Sequence, residues 1–257
     1  MILTARAMAM EFTLDVELAT GDPDDALLAR TMAHVEHDLR WIDEVFSTFK
    51  AGSHVSRLNR GEISPDDAPP AVAQVLELCE KYREETGGAF DAVAPDGTLD
   101  PTGIVKTWAI DRVRWRLDAL PARGWLWGCG GDAMVSGLGP DAGPWRVGIA
   151  HPEDRSRHVG AVELGRGRTA IATSGTTIHA QHIWDPAAGD SASSTRYVQA
   201  TVIGTDLIEC DAWATAIVAR GESAALAAQE RGLDVLALRV EGGRVVAERS
   251  PGWAWAA

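Results

Sequence analysis

The sequence predicts an α+β fold: helices packed on a mainly antiparallel sheet, in a single domain over residues 1–257. Three observations predict it. Apolar residues recur at steps of three and four in the first half of the chain and again near residue 210. Short apolar segments separated by glycine turns fill much of the second half. Neither a linker nor an internal repeat interrupts the chain, and its length allows one large core.

The elements follow in order. Met8, Met10, Phe12, Leu14, Val16 and Leu18 alternate with polar or small residues, which predicts a strand with one wet face ending at Gly21-Asp22-Pro23. Leu28, Met32, Val35, Leu39, Ile42 and Phe46 then mark one side of a long amphipathic helix. Residues 47–65 read as irregular. A second helix is expected from about Pro69 to Glu85, opened by proline and closed by Gly87-Gly88. A third is expected from about Ile104 to Leu117. Strands are expected at Trp125–Trp127, Trp145–Ile149, Val159–Leu164, Thr169–Ala172 and Val198–Ile203. Helices at about 207–220 and 222–231 come next, and a hairpin turning at Gly242-Gly243 closes the chain.

The formal net charge is −13. A duplex-binding surface needs a basic stripe, and the short Arg166/Arg168 pair between glycines reads as a turn, so no nucleic-acid partner is expected. For an enzyme with an anionic substrate, such acidity favours a metal ion that offsets repulsion. Cys79, Cys129 and Cys210 have neither zinc-ligand spacing nor a disulfide framework and read as structural thiols. No window reaches the length of a membrane span. The start lacks a basic leader with an apolar core, which leads to the expectation of a cytoplasmic protein.

Gly128-Cys129-Gly130-Gly131-Asp132 invites a dinucleotide-loop reading. The next residues, Ala133-Met134-Val135-Ser136-Gly137, cannot carry a long helix, so a tight strand turn or a close approach to a ligand is expected instead. Asp211 and Thr215 stand four apart on a predicted helix, on one face, among small alanines. Carboxylate and hydroxyl are hard oxygen ligands suited to magnesium. The competing reading is an acid that merely favours the helix N-terminus. Asp100-Pro101-Thr102-Gly103 leads into a helix whose first amides suit phosphate, with Lys106 adding charge; the competing reading is capping by Thr102 with Lys106 in solvent. Asp91, just past Gly87-Gly88, serves either a ligand or the turn's own amides. Ser174-Gly175 and the stretch from His182 to Gly189 form a further polar, glycine-punctuated region.

In this order, the stretches Thr86–Asp91, Asp100–Asp111, Cys129–Gly137, Ser174-Gly175, His182–Gly189 and Asp211–Thr215 resemble the FAD:protein FMN transferases, the ApbE-type flavin transferases. The resemblance runs from near Met8 to about Val240 and implies a single ApbE-like domain. It implies magnesium held by Asp211 and Thr215, in an Asp-Ala-x-x-Thr pattern, and by the backbone oxygen of Gly103. It implies FAD contacts at Met8, Ser47, Phe49, Asp91, Lys106, Ser174 and His182, with Asp211 and His182 as the candidate catalytic groups. The implied reaction moves FMN from FAD to a threonine or serine hydroxyl of an acceptor flavoprotein and releases AMP. An FAD pyrophosphatase, a non-catalytic flavin binder and a decayed site are the competing readings, and a homodimer is allowed. The sequence departs from the family pattern at Ala9-Met10, Ala92, Thr107 and Thr176-Thr177.

Overall fold

A computed structural model describes residues 1–19, 24–176 and 197–256. Its frame is an eight-stranded sheet: β1 (Ile2–Ala7), β2 (Met10–Leu18), β3 (Ala122–Cys129), β4 (Asp132–Gly137), β7 (Ala170–Gly175), β8 (Gln199–Gly204), β9 (Asp234–Glu241) and β10 (Arg244–Arg249) lie side by side in that order. Each neighbouring pair is antiparallel. The interposed strands β5 (Trp145–His151) and β6 (Asp154–Leu164) form a separate antiparallel pair.

Period-two alternation explains why the central strands are apolar on both faces. Met134, Ala170, Ala172, Ala200, Val202, Val235 and Ala237 join the core shared with the helices. Their neighbours Ala133, Val135, Ile171, Ile203, Leu236 and Leu238 join a second core with Trp145, Ile149, Val162 and Trp253. The sheet is therefore the middle of three layers, between helices and the β5–β6 ribbon. Gln199 ties the last two layers by donating to the carbonyl of Ala150 at 3.1 Å.

The helices are α1 (Asp25–Phe46), α2 (His54–Asn59), α3 (Pro70–Glu85), α4 (Thr102–Arg112), α5 (Arg114–Asp118), α6 (Leu207–Arg220) and α7 (Glu222–Glu230). Asp24 caps α1 by accepting from the Leu27 amide at 2.9 Å. The apolar residues that predicted α1 are all buried. Cys79, Cys129 and Cys210 are buried and free, and burial pushes the Cys79 thiol up to about 12 and that of Cys129 up to about 11, as expected of structural thiols.

Several expectations need correction. The first strand is a hairpin: β1 precedes it and pairs Ala7 with Met10. The stretch 47–65 contains α2, capped where Ser53 Oγ accepts from the Ser56 amide at 3.0 Å. The third helix is broken at Val113 into α4 and α5. The glycine-rich run, by contrast, is the tight strand turn expected of it: it joins β3 to β4, with Gly130 and Gly131 at φ of 64° and 101° and Cys129 opposite Asp132. The strand-ending Gly21-Asp22-Pro23 lies outside the described residues.

The β1–β2 turn holds two non-glycine residues, Met8 and Ala9, at φ of 55° and 56°. This left-handed region favours glycine because a Cβ crowds the following carbonyl. Ala9→Gly is therefore expected to stabilise the fold by roughly 0.5–1 kcal/mol, the relief of strain being partly offset by a freer unfolded chain. Urea unfolding checks it, and a lower midpoint in the variant contradicts the account.

Antiparallel pairing brings distant turns to one end of the sheet. The β1–β2 turn, the β3–β4 turn, the end of β7 and the start of β8 all lie there. α6 packs on β7 and β8 at this sheet, and α4 packs on α6.

Candidate active site

α6 is buried almost all round, and its small residues Ala212, Ala214 and Ala216 let the sheet and neighbouring helices approach closely. Asp211 sits in this apolar helix at 2% exposure. It does not cap the helix: Asp206 does, accepting from the amides of Ile208 at 2.8 Å and Glu209 at 3.1 Å. A buried carboxylate with no structural duty of that kind is costly unless something compensates its charge.

Part of the compensation comes from α4. Thr107, fully buried, has its hydroxyl 3.2 Å from Asp211 Oδ2 and equally 3.2 Å from the Ile104 carbonyl, with one proton to share between them. Lys106 Nζ lies 3.9 Å from Asp211 Oδ2 and forms a closer ion pair with Asp132 Oδ2. Asp132 is itself buried, and its Oδ1 accepts from the Thr173 amide at 2.9 Å. The Thr173 hydroxyl is 2.9 Å from that of Thr201 on β8. One helical turn beyond Asp211, the partly exposed Thr215 has its Oγ1 3.0 Å from Ser174 Oγ on β7.

The electrostatics follow from the count: two buried carboxylates face one ammonium. Burial pushes the Asp211 carboxyl well above the usual carboxylate range; Lys106 pulls it back, the charge of Asp132 adds to the rise and the Thr107 hydrogen bond lowers it. Burial lowers the proton affinity of Lys106, but Asp132 and Asp211 outweigh it and the ammonium is held charged. With both carboxyls ionised, the cluster carries one negative charge in excess beside neutral hard oxygens on Thr215 and Ser174, a donor set that fits a hard divalent cation such as magnesium. No group of three or more His, Cys, Asp or Glu side chains is arranged to hold a metal among the described residues. A cation here would therefore depend on hydroxyl, carbonyl, water or ligand oxygens as well.

The structure brings Lys106, Ser174, Asp211 and Thr215 together. Lys106 is not the solvent-facing residue of the competing reading, and Thr102 does not cap α4: Asp100 Oδ1 accepts from the Thr102 amide at 3.1 Å and its hydroxyl at 2.6 Å. Gly103 lies in the first turn of α4 against Phe90, where an added Cβ would come within 3.0 Å of that ring. Met8 borders a cavity of about 760 Å³ between the β1–β2 turn and the end of α1, together with Met10, Arg40, Asp43, Glu44 and Lys50. Ser47 ends α1, its carbonyl accepting from Ser53 Oγ at 2.6 Å, and Phe49, two residues on, is 87% exposed. Asp91 accepts from the Val93 amide at 2.8 Å and borders a second cavity of about 340 Å³. His182 lies outside the described residues.

The pattern of the ApbE family matches residues 8–95 and 92–238. The chain belongs to the ApbE family. The FAD:protein FMN transferase of Vibrio cholerae is 29% identical to it over 179 residues, 66% of this chain and 53% of that protein. The FAD:protein FMN transferase of Klebsiella pneumoniae is 29% identical over 157 residues, 58% of this chain and 44% of that protein. The chain thus spans about half the length of the curated relatives it matches. Solved structures show the same fold. The flavin transferase ApbE from Vibrio cholerae superposes with a TM-score of 0.80 at 20% identity, covering 98% of this chain and 97% of that one. The apo form of the Pseudomonas stutzeri flavinyl transferase ApbE gives 0.78 at 23% identity, covering 98% and 94%.

In this ApbE-family chain, sequence reasoning passed over Asp132, Thr107, Thr173 and Thr201 as site residues. Asp132 left one signal, an acid directly after a double glycine. Thr107 appeared only as a departure from the family pattern, yet its hydroxyl reaches Asp211.

Proposed function

We propose that this chain is an enzyme that transfers the FMN part of FAD to a threonine or serine hydroxyl of an acceptor flavoprotein, with magnesium, releasing AMP. The observation that carries this reading is the buried Asp211–Lys106–Asp132 cluster beside Thr215, in a chain matched to the ApbE family over residues 8–238.

Asp211 and Thr215 would hold the metal, with the Gly103 carbonyl as a third protein oxygen. When bound, magnesium neutralises charge on the pyrophosphate oxygens. Lys106 adds a second cation at the phosphates, and Ser174 orients Thr215. Met8, Ser47 and Phe49 are assigned to the flavin end, where an exposed aromatic ring suits stacking on a planar ligand. Asp91 is assigned to FAD as an acceptor for its donors. The acceptor hydroxyl oxygen bonds to the FMN-side phosphorus, and the bond from that phosphorus to the bridging oxygen breaks. AMP keeps the bridging oxygen, and the hydroxyl proton passes to a base, for which His182 is the candidate. Positioning and electrostatics suffice, with no covalent enzyme intermediate.

We place the reaction in the cytoplasm: the three described cysteines are free, as suits a reducing compartment. Fractionation of the untagged protein checks this, and recovery in an exported fraction contradicts it.

The deciding experiment mixes the protein with FAD and magnesium, with and without a threonine-bearing acceptor, and follows AMP and acceptor mass. Transfer predicts AMP and an FMN-sized mass gain only when acceptor is present. Equal AMP release without acceptor makes the chain a pyrophosphatase, and stable FAD binding without AMP makes it a carrier. Absence of FAD binding rejects all three.

A further inference from the structure

We propose that Asp132 is a positioning residue of this site: it draws the Lys106 ammonium away from Asp211 and so keeps Asp211 available to a cation. The inference rests on the reading of Asp211 as a metal ligand.

Three features of the fold support it. Asp132 is fixed on both sides, by its pairing with Cys129 across the Gly130-Gly131 turn and by the Thr173 amide on its Oδ1. Its other oxygen holds Lys106, so the side chain has both oxygens committed and none of its surface in solvent. Lys106 meanwhile stops 3.9 Å short of Asp211, beyond a direct hydrogen bond. Without the Asp132 charge, the nearest buried counter-charge for the ammonium is Asp211 itself. The lysine would then close on the carboxylate that the metal needs and would repel an incoming cation from it. With Asp132 in place the Lys106 charge is already matched, and Asp211 supplies the excess negative charge.

The test is a manganese titration followed by the loss of the free-ion electron paramagnetic resonance signal, without FAD. It compares the wild type with Asp132→Asn, Lys106→Met, the double variant and Asp211→Ala, and circular dichroism and melting report the fold of each. The expected result is affinity roughly tenfold or more weaker in Asp132→Asn, tighter than wild type in Lys106→Met, and restored to near wild type in the double variant, where both charges are gone. A merely structural role for Asp132 predicts no rescue by removing Lys106. Asp132→Asn binding as tightly as wild type, or a double variant as weak as Asp132→Asn, overturns the proposal while leaving the metal site standing. Should Asp132→Asn fail to fold, Lys106→Met decides alone, and affinity at or below wild type overturns it. Wild type and Asp211→Ala binding manganese alike, or neither binding it, rejects the underlying metal site and the inference with it.

Discussion

Asp211→Ala is expected to abolish magnesium-dependent AMP release from FAD, by at least about a hundredfold, while the protein stays folded. The carboxylate is buried in an apolar helix, caps nothing and faces a second carboxylate. Its removal takes away a charge that the metal-free fold compensates only in part, so the melting temperature should be unchanged or higher. Asp211→Asn should also be severely impaired, because the amide keeps the shape and loses the charge. Thr215→Ala should be milder, since water can replace a neutral hydroxyl ligand. The measurement is AMP release across a magnesium titration, with melting curves for each variant. Wild-type turnover in a folded Asp211→Ala protein contradicts the assignment.

The largest effect on stability is expected at Trp127. This side chain is fully buried on β3, and its ring stacks on Phe12 of β2 with centroids 5.6 Å apart and 23° between planes. Trp127→Ala removes that contact and leaves a cavity beneath the helices, at a cost of about 3–5 kcal/mol. At roughly 2–4 °C per kcal/mol for a chain of this size, melting should fall by about 10 °C. The indole Nε1–H finds no acceptor among the described residues. Trp127→Phe therefore keeps the stack and removes a buried unpaired donor, and should lie within about 1.5 kcal/mol of wild type. Calorimetry of both variants checks the pair. A mild Trp127→Ala together with a severe Trp127→Phe contradicts this account of the core.

The long helices were legible because burial imposes their period. Leu28 to Phe46 could be read directly, and the start of α3 was marked by proline. The break at Val113 was not legible, since the apolar pattern runs on through it. The first strand Ile2–Ala7 was legible in principle, with Leu3, Ala5 and Ala7 alternating against Thr4 and Arg6, but it is short and partly exposed. β4 was hidden because small residues and glycine blur its alternation, although Met134 and Val135 do face opposite cores. At the site, the i, i+4 spacing of Asp211 and Thr215 is a local rule and was readable. The links from Asp211 to Thr107 and from Asp132 to Lys106 cross between elements. Only the strand order and the packing of α4 on α6 create those contacts, and no spacing in the chain encodes them.

Asp211 and Thr215 are proposed to hold a divalent cation at which FAD is cleaved. The most direct test of this is a crystal of the protein grown with manganese and FAD or AMP, with anomalous scattering recorded for the metal. The account predicts one strong anomalous peak within coordination distance of Asp211 and Thr215 oxygens, beside a phosphate of the ligand. A ligand bound with its phosphates elsewhere and no anomalous peak at these two side chains contradicts it.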